Sequence, residues 1–172
     1  MSFQKRPHPD DAHEYYRRYV DRVPDGDVVM TLAVTWTETK AMLRELDEAT
    51  AMYRYEYGKW SIKEILVHLM DAERVFVNRA LRFARGDETE LPGFDEEAYS
   101  PHSGADSRPL AEIIEEYQWM RGGHLRFWRG LPPDAWTRTG VANGSAVKVG
   151  AIPWIVAGHE IHHREIIQER YI

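Results

Sequence analysis

The sequence of 172 residues contains no cysteine, which excludes disulfide bonds, thiolate metal sites and cysteine nucleophiles together. It also lacks an excess of positive charge, because 22 Lys and Arg stand against 28 Asp and Glu and give a net charge of −6. Without a basic patch that could bind phosphate backbones, nucleic acid is not an expected partner. No stretch approaches the ~18 consecutive apolar residues of a membrane span, and the first residues lack the apolar run of a secretory signal. We therefore expect a cytoplasmic protein without a membrane partner.

Apolar residues recur at helical spacing in four long segments, and this pattern predicts an all-α protein. The first predicted helix follows Asp27, the second begins at Ser61, the third begins near Ser107, and the fourth follows Pro153. Ser61 and Glu64 have the spacing of a capping box, in which each side chain satisfies a backbone donor at the start of a helix. Four long helices with short or irregular connections predict a four-helix bundle, which can hold a metal or ligand between facing helices.

The connections between these helices predict three further features. The polar stretch 1–26 is interrupted by prolines and has room for a short helix around Asp11–Arg22, so we divide the chain into an N-terminal extension, 1–26, and a bundle domain, 27–172. The acidic segment 87–107 is long for a connection, and such segments are often functional or act as lids. Asn143-Gly144, flanked by alternating residues, predicts a small β-hairpin before the last helix.

Three histidines occur within five positions of the last helix, in the segment GHEIHHREI. His159 and His163 are four residues apart, so they lie one turn from each other on the same helix face. Both fall near the middle of the apolar stripe, whereas His162 falls toward its edge. The pattern therefore predicts that His159 and His163 project into the bundle together.

Two buried imidazoles need partners for their nitrogen atoms, and a divalent metal ion is one solution. A third ligand would have to come from another helix, and His68, beside the apolar stripe of the second helix, is the obvious candidate. Asp71, three residues later, could accept a hydrogen bond from a ligating histidine and fix its tautomer. Glu64 could do the same, although its capping role competes.

His124 leaves the composition of this site open. It lies on the apolar stripe of the third helix, so it is either a fourth nitrogen ligand or a core or pocket residue whose nitrogen is satisfied, and we favour the second interpretation. The remaining histidines occur in polar or loop segments and are expected in solvent, namely His8, His13 and His102.

Several of these segments together resemble the DinB superfamily, and in particular its YfiT-like branch. The similarity covers roughly residues 27–172. It includes W-S-x-x-E-x-x-x-H-x-x-D at the start of the second helix, the segment LPGFDEEAY, the hairpin, and the closing H-x-x-H-H. The resemblance implies a four-helix bundle with a three-histidine metal site, whose ligands by motif match are His68, His159 and His163.

The resemblance also implies a class of activity. Relatives of this kind are metal-dependent hydrolases, bacillithiol-dependent S-transferases or a mycothiol-dependent isomerase, and their metal is zinc, nickel or another divalent ion. Relatives are often dimers, so a homodimer is expected. Because the chain has no cysteine, any thiol would have to be brought by a low-molecular-weight cosubstrate.

Three hypotheses of different classes follow. The first is a metal-dependent hydrolase or thiol S-transferase acting on a small molecule through an open metal position. The second is a non-catalytic metal- or ligand-binding bundle, closed by His124. The third is a dimerisation scaffold in which the histidines only pack. Six further side chains are candidates to line the site or its mouth, namely Arg170, Tyr55, Tyr57, Trp60 and the Glu97/Tyr99 pair.

Overall fold

Four long helices form the framework of the computed structural model, which describes residues 5–172. The helices are α1 (Arg17–Val20), α2 (Val28–Arg44), α3 (Glu48–Met52), α4 (Ile62–Ala84), α5 (Glu96–Tyr99), α6 (Leu110–Arg129) and α7 (Ile152–Arg170). Short 3₁₀ helices occupy Pro9–Asp11, Glu14–Tyr16, Ser100–His102, Ala105–Ser107, Pro133–Thr137 and Val149–Ala151. The predicted all-α four-helix bundle is confirmed.

The four long helices do not follow one another around the bundle. Helix α2 packs against α6 and α7, and α4 packs against the same two helices. The order around the bundle is therefore α2, α6, α4, α7, and the consecutive long helices α2 and α4 occupy opposite corners. This arrangement brings α4 and α7 into contact, although α5, α6 and the hairpin lie between them in the sequence.

Side-chain caps define where the long helices begin. The carboxylate of Asp27 accepts a hydrogen bond from the backbone nitrogen of Met30 at 2.9 Å at the start of α2. The predicted capping box of α4 is confirmed, because the Ser61 hydroxyl accepts from the Glu64 nitrogen at 3.1 Å and the Glu64 carboxylate accepts from the Ser61 nitrogen at 2.7 Å. The box fixes the start of the helix that carries His68.

The predicted hairpin is also confirmed, with β1 (Thr139–Ala142) paired antiparallel to β2 (Ser145–Lys148). Asn143 and Gly144 both have positive φ, 53° and 70°, as a two-residue type I′ turn requires. Leu91 extends the ladder, because its nitrogen donates to the Val141 carbonyl at 3.0 Å and its carbonyl accepts from the Asn143 nitrogen at 2.9 Å. The hairpin thereby anchors the start of the long acidic connection.

The N-terminal segment packs on the bundle through α1, which lies against α7. The helix predicted around Asp11–Arg22 is shorter than expected, since two 3₁₀ turns precede α1. His13 stops a continuous helix there, because its backbone is extended and its Nδ1 atom accepts a hydrogen bond from the Tyr15 nitrogen at 3.2 Å. The division at residue 26 stays a prediction, and residues 1–4 of the predicted extension lie outside the described residues.

Two apolar clusters make up the core. One joins the N-terminal segment, the hairpin, the later part of α4 and the first part of α7, while the other joins the first part of α4, α6 and the end of α7. The changeover falls between Leu69 and Ala72 on α4, and between Ile161 and Ile167 on α7. In residues 5–172 no helix is long and apolar enough to cross a membrane.

Candidate metal centre

Three histidines meet where the two apolar clusters join. Nε2 of His159 on α7 lies 3.1 Å from Nε2 of His68 on α4, and 3.1 Å from Nε2 of His163 one turn further along α7. The three ring nitrogens are grouped tightly enough to share one ion. The structure thus brings together the three residues whose side chains the apolar stripes predicted to face each other.

The environment of these rings favours their neutral form. Burial lowers the pKa of His68 to about 4. Burial and the neighbouring histidines hold the pKa values of His159 and His163 well below the usual range. At neutral pH all three imidazoles are therefore uncharged, which is the form that ligates metals.

The donor set fits a divalent metal ion. Three neutral Nε2 atoms in contact cannot all be satisfied by one another, because a neutral imidazole has one donor and one acceptor nitrogen. Two ligands at 2.0–2.1 Å in tetrahedral geometry stand roughly 3.3 Å apart, close to the 3.1 Å separations here. The second ring nitrogen of His163 is buried and has no hydrogen-bond partner among the described residues, so no protein acceptor fixes the tautomer of that ring.

Aromatic rings hold two of the imidazoles in place. The Trp60 ring lies 4.8 Å from the His68 ring, centroid to centroid, and the Tyr19 ring lies 5.0 Å from that of His159. His162 is half-buried beside Tyr19, 5.6 Å between ring centroids, so it lies at the edge of the cluster as predicted. Trp60, one of the aromatic residues before α4, contacts His68 but lines neither of the two cavities that His68 borders. Tyr19 belongs to the N-terminal segment, which the sequence pattern assigns to an extension outside the bundle.

A cavity of about 350 Å³ opens beside the cluster. Its volume lies at the lower end of the range of small-molecule sites. Its walls come from the N-terminal segment, α4, the acidic connection, the hairpin and α7, and include Tyr16, Tyr19, His68, Ala72, Phe76, Arg79, Phe94, Glu96, Asn143 and His159. The cluster therefore has an open side onto a space that can admit a small molecule.

His124 is not part of the cluster. Its Nδ1 atom lies 3.0 Å from a carboxylate oxygen of Glu73, so its nitrogen is satisfied inside the bundle. This agrees with the favoured interpretation of His124 as a core residue and removes it as the fourth ligand of a closed site.

The two carboxylates predicted to orient a ligand have other partners. Asp71 accepts a hydrogen bond from Arg74 at 3.2 Å, and Glu64 accepts one from Arg54 at 2.8 Å besides its capping contact. A small cavity borders both carboxylates and His68, so Asp71 remains near the site. Its role behind a ligating histidine stays a prediction.

Of the other predicted lining residues, Tyr99 borders the small cavity beside His68, whereas the rest lie elsewhere. Arg170 is exposed rather than on the buried stripe, because α7 turns that position to solvent in its last turn. Tyr55 packs on Tyr171 with ring centroids 5.1 Å apart, and Tyr57 is fully exposed. In the acidic connection Glu96, rather than Glu97, borders both cavities next to His68.

A buried ionic network on α4, α6 and α7 could not be read from the sequence. Arg121 donates hydrogen bonds to both carboxylate oxygens of Glu73, the shortest at 2.7 Å, and pairs with Glu160 at 2.8 Å. Burial opposes ionisation of Glu73, but Arg121 and His124 lower its pKa, whereas burial raises the pKa of Glu160 in spite of Arg121. Glu160 follows His159 directly, so the network ties the histidine-bearing turn of α7 to α4 and α6.

The fold and the histidine cluster define an all-helical bundle with a candidate three-nitrogen metal site. The chain belongs to the DinB superfamily, whose family model matches residues 31–167. No curated protein matches the sequence.

The fold is similar to that of YfiT from Bacillus subtilis, with a TM-score of 0.73 and 16% sequence identity over 96% of this chain and 91% of that one. That protein is described as a probable metal-dependent hydrolase with an unusual four-helix bundle topology. At this identity the likeness shows a shared fold. The order α2, α6, α4, α7 around the bundle is accordingly a feature of the fold and not of this sequence alone.

Proposed function

We propose that His68, His159 and His163 bind one divalent metal ion and that the protein is a metal-dependent enzyme, a hydrolase acting on a small molecule. The observation that carries this proposal is the meeting of three neutral imidazole nitrogens beside a cavity of about 350 Å³. Three protein ligands with an open position are typical of catalytic sites, whereas four closed ligands are typical of structural ones. Zinc and nickel are the proposed ions, since imidazole suits both.

When bound, such an ion would act as a Lewis acid toward a water molecule or a thiol in its open position. The chain would supply the rest. Trp60 and Tyr19 hold the His68 and His159 rings in their orientations. Burial raises the pKa of Tyr19 to about 12, so its hydroxyl keeps its proton at neutral pH and can donate a hydrogen bond to a substrate oxygen in the cavity that it lines.

Thiol S-transfer is the second candidate. Three neutral ligands would leave the double charge of a bound ion uncompensated, which would lower the pKa of a thiol as well as that of water. Because the chain has no cysteine, the thiol would be a cosubstrate. The homodimer and the cytoplasmic location stay predictions.

Metal analysis tests the site. Purified protein is stripped with a chelator, reconstituted with zinc or nickel, and analysed for bound metal by mass spectrometry. We expect about one ion per chain in the wild type and a loss of stoichiometric binding in His68→Ala, His159→Ala and His163→Ala. The matched control is His162→Ala, which removes an adjacent imidazole outside the triangle and should leave stoichiometry unchanged. Unchanged occupancy in all three ligand variants would refute the assignment.

Turnover tests the activity. The zinc- and nickel-loaded proteins are offered a panel of chromogenic esters and amides, and in parallel 1-chloro-2,4-dinitrobenzene with bacillithiol, mycothiol or glutathione. Hydrolysis that depends on the three histidines supports the hydrolase, and thiol-dependent conjugation supports the transferase. Stoichiometric metal without turnover on either panel would favour a non-catalytic binding bundle instead.

A further inference from the structure

Arg79 is a buried cation that has no carboxylate partner in the described part of the chain. Only 4% of its surface is exposed. The two other buried basic side chains both have such partners, since Lys63 pairs with Glu48 at 2.5 Å and Arg121 pairs with Glu73 at 2.7 Å. Among residues 5–172, no ion pair joins Arg79 to any acidic group. A buried charge without a partner is costly, so it requires another explanation.

The guanidinium is held in a fixed position at the cavity wall. One of its nitrogens donates to the Pro92 carbonyl at 3.1 Å, and its carbon lies 5.3 Å from the centroid of the Phe76 ring and 6.0 Å from that of Phe94. None of its nitrogens is both fully enclosed and without a hydrogen bond. The guanidinium also faces the Tyr16 hydroxyl, whose pKa it lowers against the effect of burial. The donors that the protein leaves free must reach the open space, since Arg79 and Tyr16 both line the 350 Å³ cavity.

Arg79 and His68 mark two ends of one face of α4. They are eleven residues apart, or about three turns, which places them on the same side of the helix and about 16 Å apart along its axis. Ala72 and Phe76 lie between them and also line the cavity. The cavity thus runs along α4 from the histidine cluster to the guanidinium, past an apolar and aromatic wall.

We propose that Arg79 binds the carboxylate of an elongated organic acid whose other end lies at the histidine cluster. Arginine matches a carboxylate with two parallel hydrogen bonds, and its planar group is already oriented by the two phenylalanines. The cavity is also bordered by Glu96, so a ligand with one negative charge fits it better than a dianion. The assignment of the second end rests on the proposed metal site, whereas the carboxylate site does not.

Metal-free protein tests the carboxylate site by itself. Binding of 6-phenylhexanoate and of the uncharged 6-phenylhexanamide is measured by calorimetry at low ionic strength. Since a hydrogen bond to a charged group contributes about 1.5–3 kcal/mol, we expect the carboxylate to bind at least about tenfold more tightly. Arg79→Met should reduce this preference to less than twofold, while Arg79→Lys, which keeps the charge, should retain part of it. Arg85→Met, an exposed arginine at the end of the same helix, is the matched control.

Equal binding of acid and amide by the wild type would overturn the proposal. So would an undiminished preference for the acid in Arg79→Met, provided that Arg79→Lys is folded. A length series on zinc-loaded protein tests the second end, using the monohydroxamates of succinic, adipic, suberic and sebacic acid. Arg79→Met should weaken the binding of only the longer hydroxamates in this series. If zinc fails to bind but the acid preference persists in metal-free protein, the proposed function fails and the carboxylate site stands.

Discussion

Gly158 lies directly against the backbone of Tyr19: a Cβ atom added to Gly158 would come within 1.9 Å of the Tyr19 carbonyl oxygen. The N-terminal segment thus docks on α7 by backbone contact, one residue before His159. The same docking places the Tyr19 ring against the His159 ring. The absence of a side chain at one position of α7 therefore decides whether the N-terminal segment can reach the histidine cluster.

Gly158→Ala should destabilise the protein, although Gly to Ala inside a helix is ordinarily stabilising by about 1 kcal/mol. Neither the Tyr19 backbone nor α7 can accommodate the new methyl group without moving. Gly123→Ala is the control, since a Cβ added at this position of α6 would meet nothing within 4 Å and should be stabilising. Thermal unfolding of both variants decides the matter, and an equal rise in melting temperature for both would contradict the contact.

Arg121→Met should lower the free energy of unfolding by about 3–5 kcal/mol, because it leaves the buried carboxylates of Glu73 and Glu160 without their common partner. Adding Glu73→Gln to this variant should restore part of the loss. Arg129→Met, at the exposed end of the same helix, serves as the control and should change little. Urea unfolding measures all four proteins, and a loss below about 1 kcal/mol in Arg121→Met would contradict the network's importance.

The environment of Tyr171 predicts that the folded protein loses stability at alkaline pH. Its hydroxyl donates to the Trp60 carbonyl at 2.7 Å, and burial raises its pKa from 10.0 to about 12. Between these values the unfolded chain has released the proton while the folded protein retains it, so stability falls as the pH rises above about 10.

In Tyr171→Phe this fall should be shallower than in the wild type. Tyr57→Phe, which alters a fully exposed tyrosine, should follow the wild-type slope. The pH dependence of stability should not vanish in Tyr171→Phe, because other tyrosines also have raised pKa values. Denaturant midpoints measured from pH 8 to 11.5 compare the three proteins, and identical slopes would show that Tyr171 does not titrate as its contacts imply.

Trp60 should report metal binding, because its ring lies against His68. Adding nickel to metal-free protein should quench part of the tryptophan fluorescence, and Trp60→Phe should lose a substantial fraction of that quenching. Trp119→Phe removes a tryptophan that is 74% exposed on α6 and should retain the response. Quenching that is equal in both variants, or that persists in His159→Ala, would argue for ion binding elsewhere.

The sequence was most informative where a feature depends on neighbours along the chain. The capping box at Ser61 and the Asn143-Gly144 turn were predictable because a few residues decide them locally. The facing of His159 and His163 followed from helical periodicity, and the place of His68 followed from its own apolar stripe. The two apolar stripes meet only if their helices pack in one bundle, and the pattern of four long helices predicted that bundle.

Features that depend on residues far apart in the chain were missed. Arg121, Glu73 and Glu160 look like surface charges in sequence, and only their pairing across three helices allows them to be buried. The docking of Tyr19 depends on Gly158, 139 positions later. Arg170 shows the converse, since helical periodicity predicted a buried side chain at a position that the last turn of α7 exposes.

His68 and His159 are 91 residues apart in the chain. An ion shared by both would close a loop of that length, acting on this cysteine-free chain as a reversible cross-link between two helices. The entropy cost of closing a loop grows only slowly with its length. Most of the gain in stability would therefore come from the presence of a cross-link in the unfolded chain, and little from the length of the loop. Metal supply would then govern how long the folded protein survives as well as whether its site is competent.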